Sequence, residues 1–231
     1  MKRTMIAVAG VAVLMLIAEV ANAELLTYLN NLSSTFNINN KSLSVPQFDT
    51  ALGTLNSVSV TASVNTLGKL GLENTNPTSA ITNRYLSTYW GTNTTNGQLG
   101  MTLNSQTLTN VSWNVLNDYP LNLTAYDGIT DYTGTSGFSA TYVNTTDSQV
   151  INYSLAADLA QFMGTGNVDF IVDGSAYGAL SGPSNTSTFM STTGTANVSV
   201  TYDFNPVPEP GTLVLLVMGA MGMLAYAWRR R

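Results

Sequence analysis

The sequence predicts an all-β protein, an antiparallel β-sandwich of jelly-roll-like form, held between two processing segments. Three observations predict it. Apolar residues recur with period two, as in Ser57-Val58-Ser59-Val60-Thr61-Ala62-Ser63-Val64 and again from Thr195 to Phe204. Such alternation gives one buried and one wet face. Turn-forming pairs then punctuate the chain at Asn96-Gly97, Asp127-Gly128, Gly134 to Gly137, Asp173-Gly174 and Gly182-Pro183. Finally, at least seven short strands fit into the roughly 180 residues between the end segments, which suits a sandwich, with a closed barrel as the alternative.

Taken in chain order, residues 1–23 read as a secretory signal peptide. Lys2 and Arg3 are followed by an uncharged, largely apolar run from Met5 to Ala18 and by Ala21-Asn22-Ala23, a small-x-small cleavage site. Cleavage is therefore expected between Ala23 and Glu24. The apolar run is short of the ~20 residues that a bilayer core needs, which disfavours a permanent N-terminal anchor. The Sec translocon and signal peptidase are the partners such a leader implies.

The domain is expected over 24–206. Besides the two alternating runs, strands are expected at 97–103, 107–116, 121–126, 149–155 and 168–172, where Thr, Val, Tyr and Trp are frequent. One short helix, or only a turn, is expected over 154–162, with Leu155, Leu159 and Phe162 at helical spacing. Residues 182–194 are Ser/Thr/Asn-rich without periodicity and are expected to form a long loop or an irregular hairpin.

The tail has three parts. Val207-Pro208-Glu209-Pro210 precedes an uncharged apolar stretch over 211–228, and Arg229-Arg230-Arg231 follow. As a helix the stretch spans roughly 27 Å, near the ~30 Å of a hydrocarbon core, so a single transmembrane helix is expected. The arginines belong on the cytoplasmic side, which places the domain outside that membrane. Pro208 and Pro210 hold the Glu209 backbone extended, as a protease substrate requires.

This tail resembles the PEP-CTERM sorting signal of Gram-negative bacteria in motif, helix, arginine cluster and order. The resemblance implies that Pro208, Glu209 and Pro210 are the recognition element for exosortase, a multi-pass membrane enzyme, and that processing occurs near them. A plain tail anchor that is never cut is the alternative. A second resemblance starts at Phe48-Asp49-Thr50-Ala51-Leu52-Gly53-Thr54-Leu55 and runs into an alternating strand. It continues in Gly71-Leu72-Glu73-Asn74, in Asp158 to Gly166 and in Val198-Ser199-Val200-Thr201-Tyr202. These segments are similar to the choice-of-anchor E domain. That resemblance implies a secreted β domain joined to a surface-sorting tail, with no catalytic residues to carry over.

The Phe48–Val58 block is readable without the family. Phe48 and Leu52 are expected to bury together. Asp49 is expected to accept a backbone N–H in the following turn. Gly53 is expected to take a positive φ or to let another backbone approach closely. Leu55, Val58 and Val60 are expected in the core.

Composition narrows the chemistry. The chain has no His and no Cys, which removes Ser-His-Asp and Cys-His nucleophiles, imidazole and thiolate metal sites, and disulfides. Residues 24–206 carry three basic side chains (Lys41, Lys69, Arg84) against eleven acidic ones. That balance of −8 makes nucleic acid a poor partner. No cofactor is expected. The remaining acid–base groups are carboxylates, and Asp127, Asp131, Asp169 and Asp173 are the weak calcium candidates, with hydrolysis by an Asp pair a remote alternative. Their ordinary role beside glycine is to stabilise turns. If the domain is a carbohydrate-binding module, Trp90, Trp113, Tyr85, Tyr89, Tyr119, Tyr126 and Tyr132 are the candidates for a sugar-stacking surface, with Tyr85, Tyr89 and Trp90, just before a Gly-Thr-Asn-rich loop, the expected contacts. Against that, Trp113, inside an alternating strand, is expected in the core, and the tyrosines are expected to carry buried rings with wet hydroxyls. The leading expectation is a non-enzymatic surface or matrix protein. It would be exported, anchored transiently at the inner membrane, and associated at the cell surface with exopolysaccharide or biofilm.

Overall fold

A computed structural model describes residues 23–89, 97–114, 116–176, 178–207 and 210–230. Eleven strands lie among the described residues: β1 (Glu24–Thr35), β2 (Ile38–Pro46), β3 (Gly53–Asn74), β4 (Ile81–Tyr89), β5 (Gly97–Leu103), β6 (Gln106–Trp113), β7 (Asn117–Leu123), β8 (Gly137–Tyr153), β9 (Asn167–Ser175), β10 (Ala179–Ser181) and β11 (Thr186–Pro206). A helix α1 (Ala156–Leu159) runs into a 3-10 turn at Ala160–Phe162, and α2 (Pro210–Arg229) closes the chain. The expected signal peptide lies outside the described residues, apart from Ala23.

Two four-stranded sheets, ordered β1-β11-β3-β8 and β2-β9-β5-β6, share one buried core, and all their pairings are antiparallel. Set the short strands β4, β7 and β10 aside. The first long strand then pairs with the last, the second with the second-last, the third with the third-last, and the middle two with each other. This is a folded ribbon of paired strands rolled onto itself, the topology of a double-sheet jelly roll. The three short strands form their own sheet, ordered β10-β4-β7.

The alternation explains the layering. Val58, Val60, Ala62 and Val64 of β3 are at most 1% exposed, and the Ser and Thr residues between them face out. Opposite them in β11, Ala196, Val198, Val200 and Tyr202 are equally buried. Burying such a side chain contributes roughly 1.5–3 kcal/mol. Leu55 and Val58 both enter the core although their parity differs. The register slips at Asp203/Phe204, leaving Asn56 as the extra residue of a bulge that resets the pleat. A second slip at Gly68/Lys69 lets Tyr142 and Val143 both turn inward. Gly68 is required there, because a Cβ would sit 2.3 Å from the Tyr142 ring.

Several expectations are corrected. Residues 182–194 are not all loop, since β11 begins at Thr186. Its first residues lack apolar alternation because neither face is fully buried, and pairing with 66–74 of β3 holds them instead. Over 154–162 the shorter alternative holds: one turn of α1 and the 3-10 turn, which bury Leu159 and Phe162. Phe48 is buried but Leu52 is 45% exposed, so the two do not bury together. Phe48 packs instead on Tyr202 and Phe204, with ring centroids 5.9 and 5.0 Å away. Asp49 does accept the Ala51 N–H at 2.9 Å, and Gly53 does serve close approach, as its Cβ would lie 2.0 Å from the Asn205 carbonyl oxygen.

Strand direction sorts the connections into two poles. Glu24 pairs with Phe204, so β1 starts where β11 ends. The β2–β3, β5–β6 and β8–β9 connections share that pole. The far pole carries the inserts that make up the small sheet, β4, β7 and β10. The sheets are also latched at one margin. Asp147 of β8 accepts the Thr109 hydroxyl at 2.6 Å and the Asn110 N–H at 3.2 Å, both from β6.

The Thr109 hydrogen bond holds the Asp147 carboxyl below its ordinary 3.8, with the Asn110, Gln149 and Ser148 donors assisting against partial desolvation. A value lowered by folding stabilises above the unfolded pKa and is lost as pH falls through the folded one. Asp147→Asn is therefore expected to flatten the loss of stability on acidification below about pH 4, read by urea unfolding. At the alkaline end, burial pushes the Tyr202 phenol up to about 12, with Tyr28 beside it adding to the shift. Its stabilisation is full below the unfolded phenol value, about 10, and disappears as pH rises through the folded one. Gly53→Ala should cost about 1–3 kcal/mol in the same unfolding assay, because the opposing atom is backbone and cannot turn away.

Candidate functional site

Two places carry chemistry, one at each end of the β3–β11 pair. At the near pole the chain leaves the domain. Asn205 and Pro206 still pair with Thr54 and Gly53. One further bond runs from the Val207 N–H to the Leu52 carbonyl at 2.9 Å. The Asn205 amide Nδ2–H donates to Asn56 Oδ1 at 3.3 Å, and Asn56 Nδ2–H donates back to Asn205 Oδ1 at 3.1 Å. The ladder therefore grips the chain up to the residue before Pro208. Pro208, Glu209 and Arg231 lie outside the described residues; Pro210 opens the α2 backbone.

Along α2, Val217, Met218, Met221, Met223, Leu224, Tyr226 and Trp228 are each more than half exposed. Arg229 lies in the last turn, where a cation meets the negative end of the helix dipole. The Arg230 guanidinium sits 5.1 Å from the Tyr226 ring centre. Side chains of this helix are described from Val217 onward. That part covers about 20 Å, short of the ~30 Å hydrocarbon core. Among the described residues no helix is long and apolar enough to cross a membrane, so the span expected over 211–228 is not found among them.

At the far pole, the connection between β7 and β8 folds back over the outer face of the β1-β11-β3-β8 sheet. It borders a cleft of about 370 Å³ lined by Lys69 and Leu70 of β3, Asp131, Tyr132 and Thr133 of the connection, Ser139, Ala140 and Thr141 of β8, and Phe189 of β11. Gly71 forms bare backbone between the strands; a Cβ there would meet the Phe189 ring at 2.2 Å. The Tyr132 and Phe189 rings meet edge to face with centroids 4.6 Å apart.

Tyr132 is held hard. Its φ is +59°, a left-handed conformation that bulky residues rarely adopt. Its N–H donates to Glu73 Oε2 at 2.8 Å, and its hydroxyl pairs with Ser187 Oγ at 3.1 Å. Glu73 is fully buried, and its other oxygen, Oε1, has no hydrogen-bond partner. Gly137 permits this close cover, since a Cβ would lie 2.3 Å from the Thr133 backbone.

Of the expected site residues, Asp131 and the stacking candidate Tyr132 line this cleft, and the others that are described lie elsewhere. Tyr85 is 60% exposed on β4 of the small sheet, while Trp90 and the Tyr89 side chain lie outside the described residues. Trp113 is 5% exposed in the core, as its alternating strand implied. The four aspartates act in local bonds. Asp127 accepts the Ile129 N–H and Asp131 the Thr133 N–H, each at 2.9 Å. Asp173 accepts the Asn40 N–H at 2.7 Å, and Asp169 accepts the Ser42 and Ser44 hydroxyls. Among the described residues no three carboxylates gather where they could hold a metal ion. Lys69 and Phe189 escaped notice because nothing local marks them; they meet only through strand register. Glu73→Ala should release the Tyr132 amide, seen as lost hydrogen-exchange protection there, with a stability loss of roughly 1–3 kcal/mol.

No curated protein matches the chain. Among solved structures, that of the infectious bursal disease virus Gx strain aligns over 91% of this chain and 48% of its own, at 13% identity and TM-score 0.23. Dimeric latent PorU from Porphyromonas gingivalis aligns over 79% of this chain and 13% of its own, at 11% identity and TM-score 0.29. The acidic stable capsid of Helicobacter pylori bacteriophage KHP30 aligns over 80% and 96%, at 12% identity and TM-score 0.20. The chain thus spans about half of the first of these chains and a small part of the second, and TM-scores this low assign neither fold nor role. The tail is different: residues 206–231, beginning at the last residue of β11, match the model of the PEP-CTERM protein-sorting motif.

Proposed function

We propose that this is an exported, non-enzymatic surface or extracellular-matrix protein, delivered by exosortase-dependent sorting of its tail. The observation that carries the reading is the sorting-motif match over 206–231, placed directly against the last strand of a self-contained β domain. The leader over 1–23 supplies export, and the uncharged stretch over 211–228 supplies transient inner-membrane anchoring before release to the surface or the surrounding polymer. The similarity of 24–205 to the choice-of-anchor E domain fits a cargo whose tail is the exchangeable part. A binding or structural role is favoured over catalysis, since the chain lacks His and Cys and its candidate aspartates accept hydrogen bonds from neighbouring backbone and hydroxyl groups.

The geometry of the exit supports processing beyond Val207. Upstream of it the backbone is engaged in a ladder, where a protease cannot take it as an extended strand without unzipping β11. Intact-mass analysis of protein recovered from the surface or medium is expected to show a chain starting at Glu24 and lacking the arginine-terminated stretch. A mature protein that keeps all of 211–231 would overturn the sorting reading. Deleting 211–231 is expected to leave a folded β protein in the soluble fraction; a deletion product that stays with the membrane after a high-salt wash counts against the anchor.

A further inference from the structure

We propose that the outer-face cleft between Lys69, Tyr132 and Phe189 binds a neutral pyranose residue of a polysaccharide. The inference stands on the cleft alone and is independent of how the tail is processed.

The lining has the chemistry that a sugar ring needs and little else does. A pyranose presents an apolar C–H face and a rim of hydroxyls that both donate and accept. Here two half-buried aromatic side chains, Tyr132 and Phe189, stand beside the exposed Ser139 and Thr141, one cation, Lys69, and one carboxylate, Asp131, whose Oδ1 accepts the Thr133 hydroxyl at 2.9 Å and leaves Oδ2 to the cleft. Aromatic faces supply apolar contact area at little entropic cost. Lys69 can only donate and Asp131 can only accept, so together they match a hydroxyl rim rather than an anion or a cation. The volume, about 370 Å³, lies at the low end of ligand clefts, roughly 300–1,000 Å³, and suits one or two rings rather than a long chain segment.

The cleft is also built, not incidental. Away from the cleft this outer face is open sheet, with Ser57, Ser59, Thr61 and Ser63 on β3 and the exposed Leu25, Leu29 and Val150 on the strands that flank the β3–β11 pair. Only where the 124–136 connection folds over does it acquire walls. The connection holds Tyr132 in a left-handed conformation and commits a fully buried carboxylate with one unpartnered oxygen to keep it there. Both features oppose stability. A second anchor, Ser187 Oγ, fixes the far end of the same side chain. The result is a rigid aromatic wall, preorganised as a weak-binding site requires.

The location suits the ligand. Gly53 and Gly71 lie at opposite ends of β3, so the cleft stands about 60 Å from the tail exit at ordinary strand rise. It opens on the side of the sheet, at the end of β3 opposite the tail exit.

The test is saturation-transfer NMR on the full chain in a sugar-free zwitterionic detergent. The probes are methyl β-D-glucoside, methyl α-D-mannoside, methyl β-D-galactoside and N-acetylglucosamine, each at millimolar concentration. At least one is expected to receive saturation through its ring C–H protons. Ser139→Trp, which fills the cleft from an exposed position, and Phe189→Ala should each abolish the transfer, while Tyr85→Ala on the small sheet should leave it intact. A far-UV spectrum unchanged from the parent shows that a variant is folded. No transfer to any of the four probes overturns the proposal. Transfer that persists in folded Ser139→Trp or Phe189→Ala also overturns it, and transfer lost in Tyr85→Ala alone would move the site to the small sheet and refute this cleft.

Discussion

The antiparallel ladder between β3 and β11 is the constraint on which the molecule depends. It runs from Gly53 opposite Pro206 to Asn74 opposite Thr186. Both strands lie at the centre of their sheet, flanked by β1 and β8. Period-two alternation along so long a pair is unforgiving, because a one-residue slip would turn every core valine toward water. The bulge at Asn56 resets this ladder, and the one at Tyr142 resets the neighbouring β3–β8 pairing. They allow Leu55 and Tyr142 to reach the core without moving the register of what lies between.

The same ladder separates two tasks. Its near end grips the chain up to Val207, beside the β1 start and the Phe48 cluster, where the Tyr202 hydroxyl donates to the Pro46 carbonyl at 2.8 Å. Its far end carries Gly71, Glu73 and Phe189 beneath the 124–136 connection. A jelly roll places alternate connections at opposite poles, so anything inserted after β3, β6 and β9 lands together, far from the termini. The small β10-β4-β7 sheet is the product of those three insertions. Its Leu86 and Leu121 are at most 1% exposed, and they extend the same core rather than founding another.

Among the described residues, several local conflicts gather at the far pole. Glu73 is buried with one oxygen unpartnered, Ser136 Oγ is buried without a partner, and Tyr132 is left-handed. Elsewhere the aspartates accept ordinary turn or cross-strand bonds, and the core holds aliphatic and aromatic residues in step with the pleat. Natural sequences break local rules mainly where a site requires it. The cleft, Asp131 included, lies among these conflicts, while Asp169 and Asp173 sit in ordinary cross-strand bonds.

What the sequence determined by itself was whatever short-range pattern encodes. The period-two runs at 57–64 and 195–204, the Asx turn at Asp49, the close approach at Gly53, the core position of Trp113 and the three-part tail are all written within a few neighbouring residues. Strands without apolar alternation escaped it. β1, β2 and β4 are polar on at least one face, and 186–194 is held by pairing with β3 rather than by burial of its own side chains. Only the tertiary structure decided that Lys69, Tyr132, Ser139 and Phe189 meet, and that Leu52 stays wet while Phe48 reaches Tyr202 and Phe204. Those contacts join residues distant in the chain through strand register, and register is a property of the whole rolled ribbon, which no local window of sequence contains.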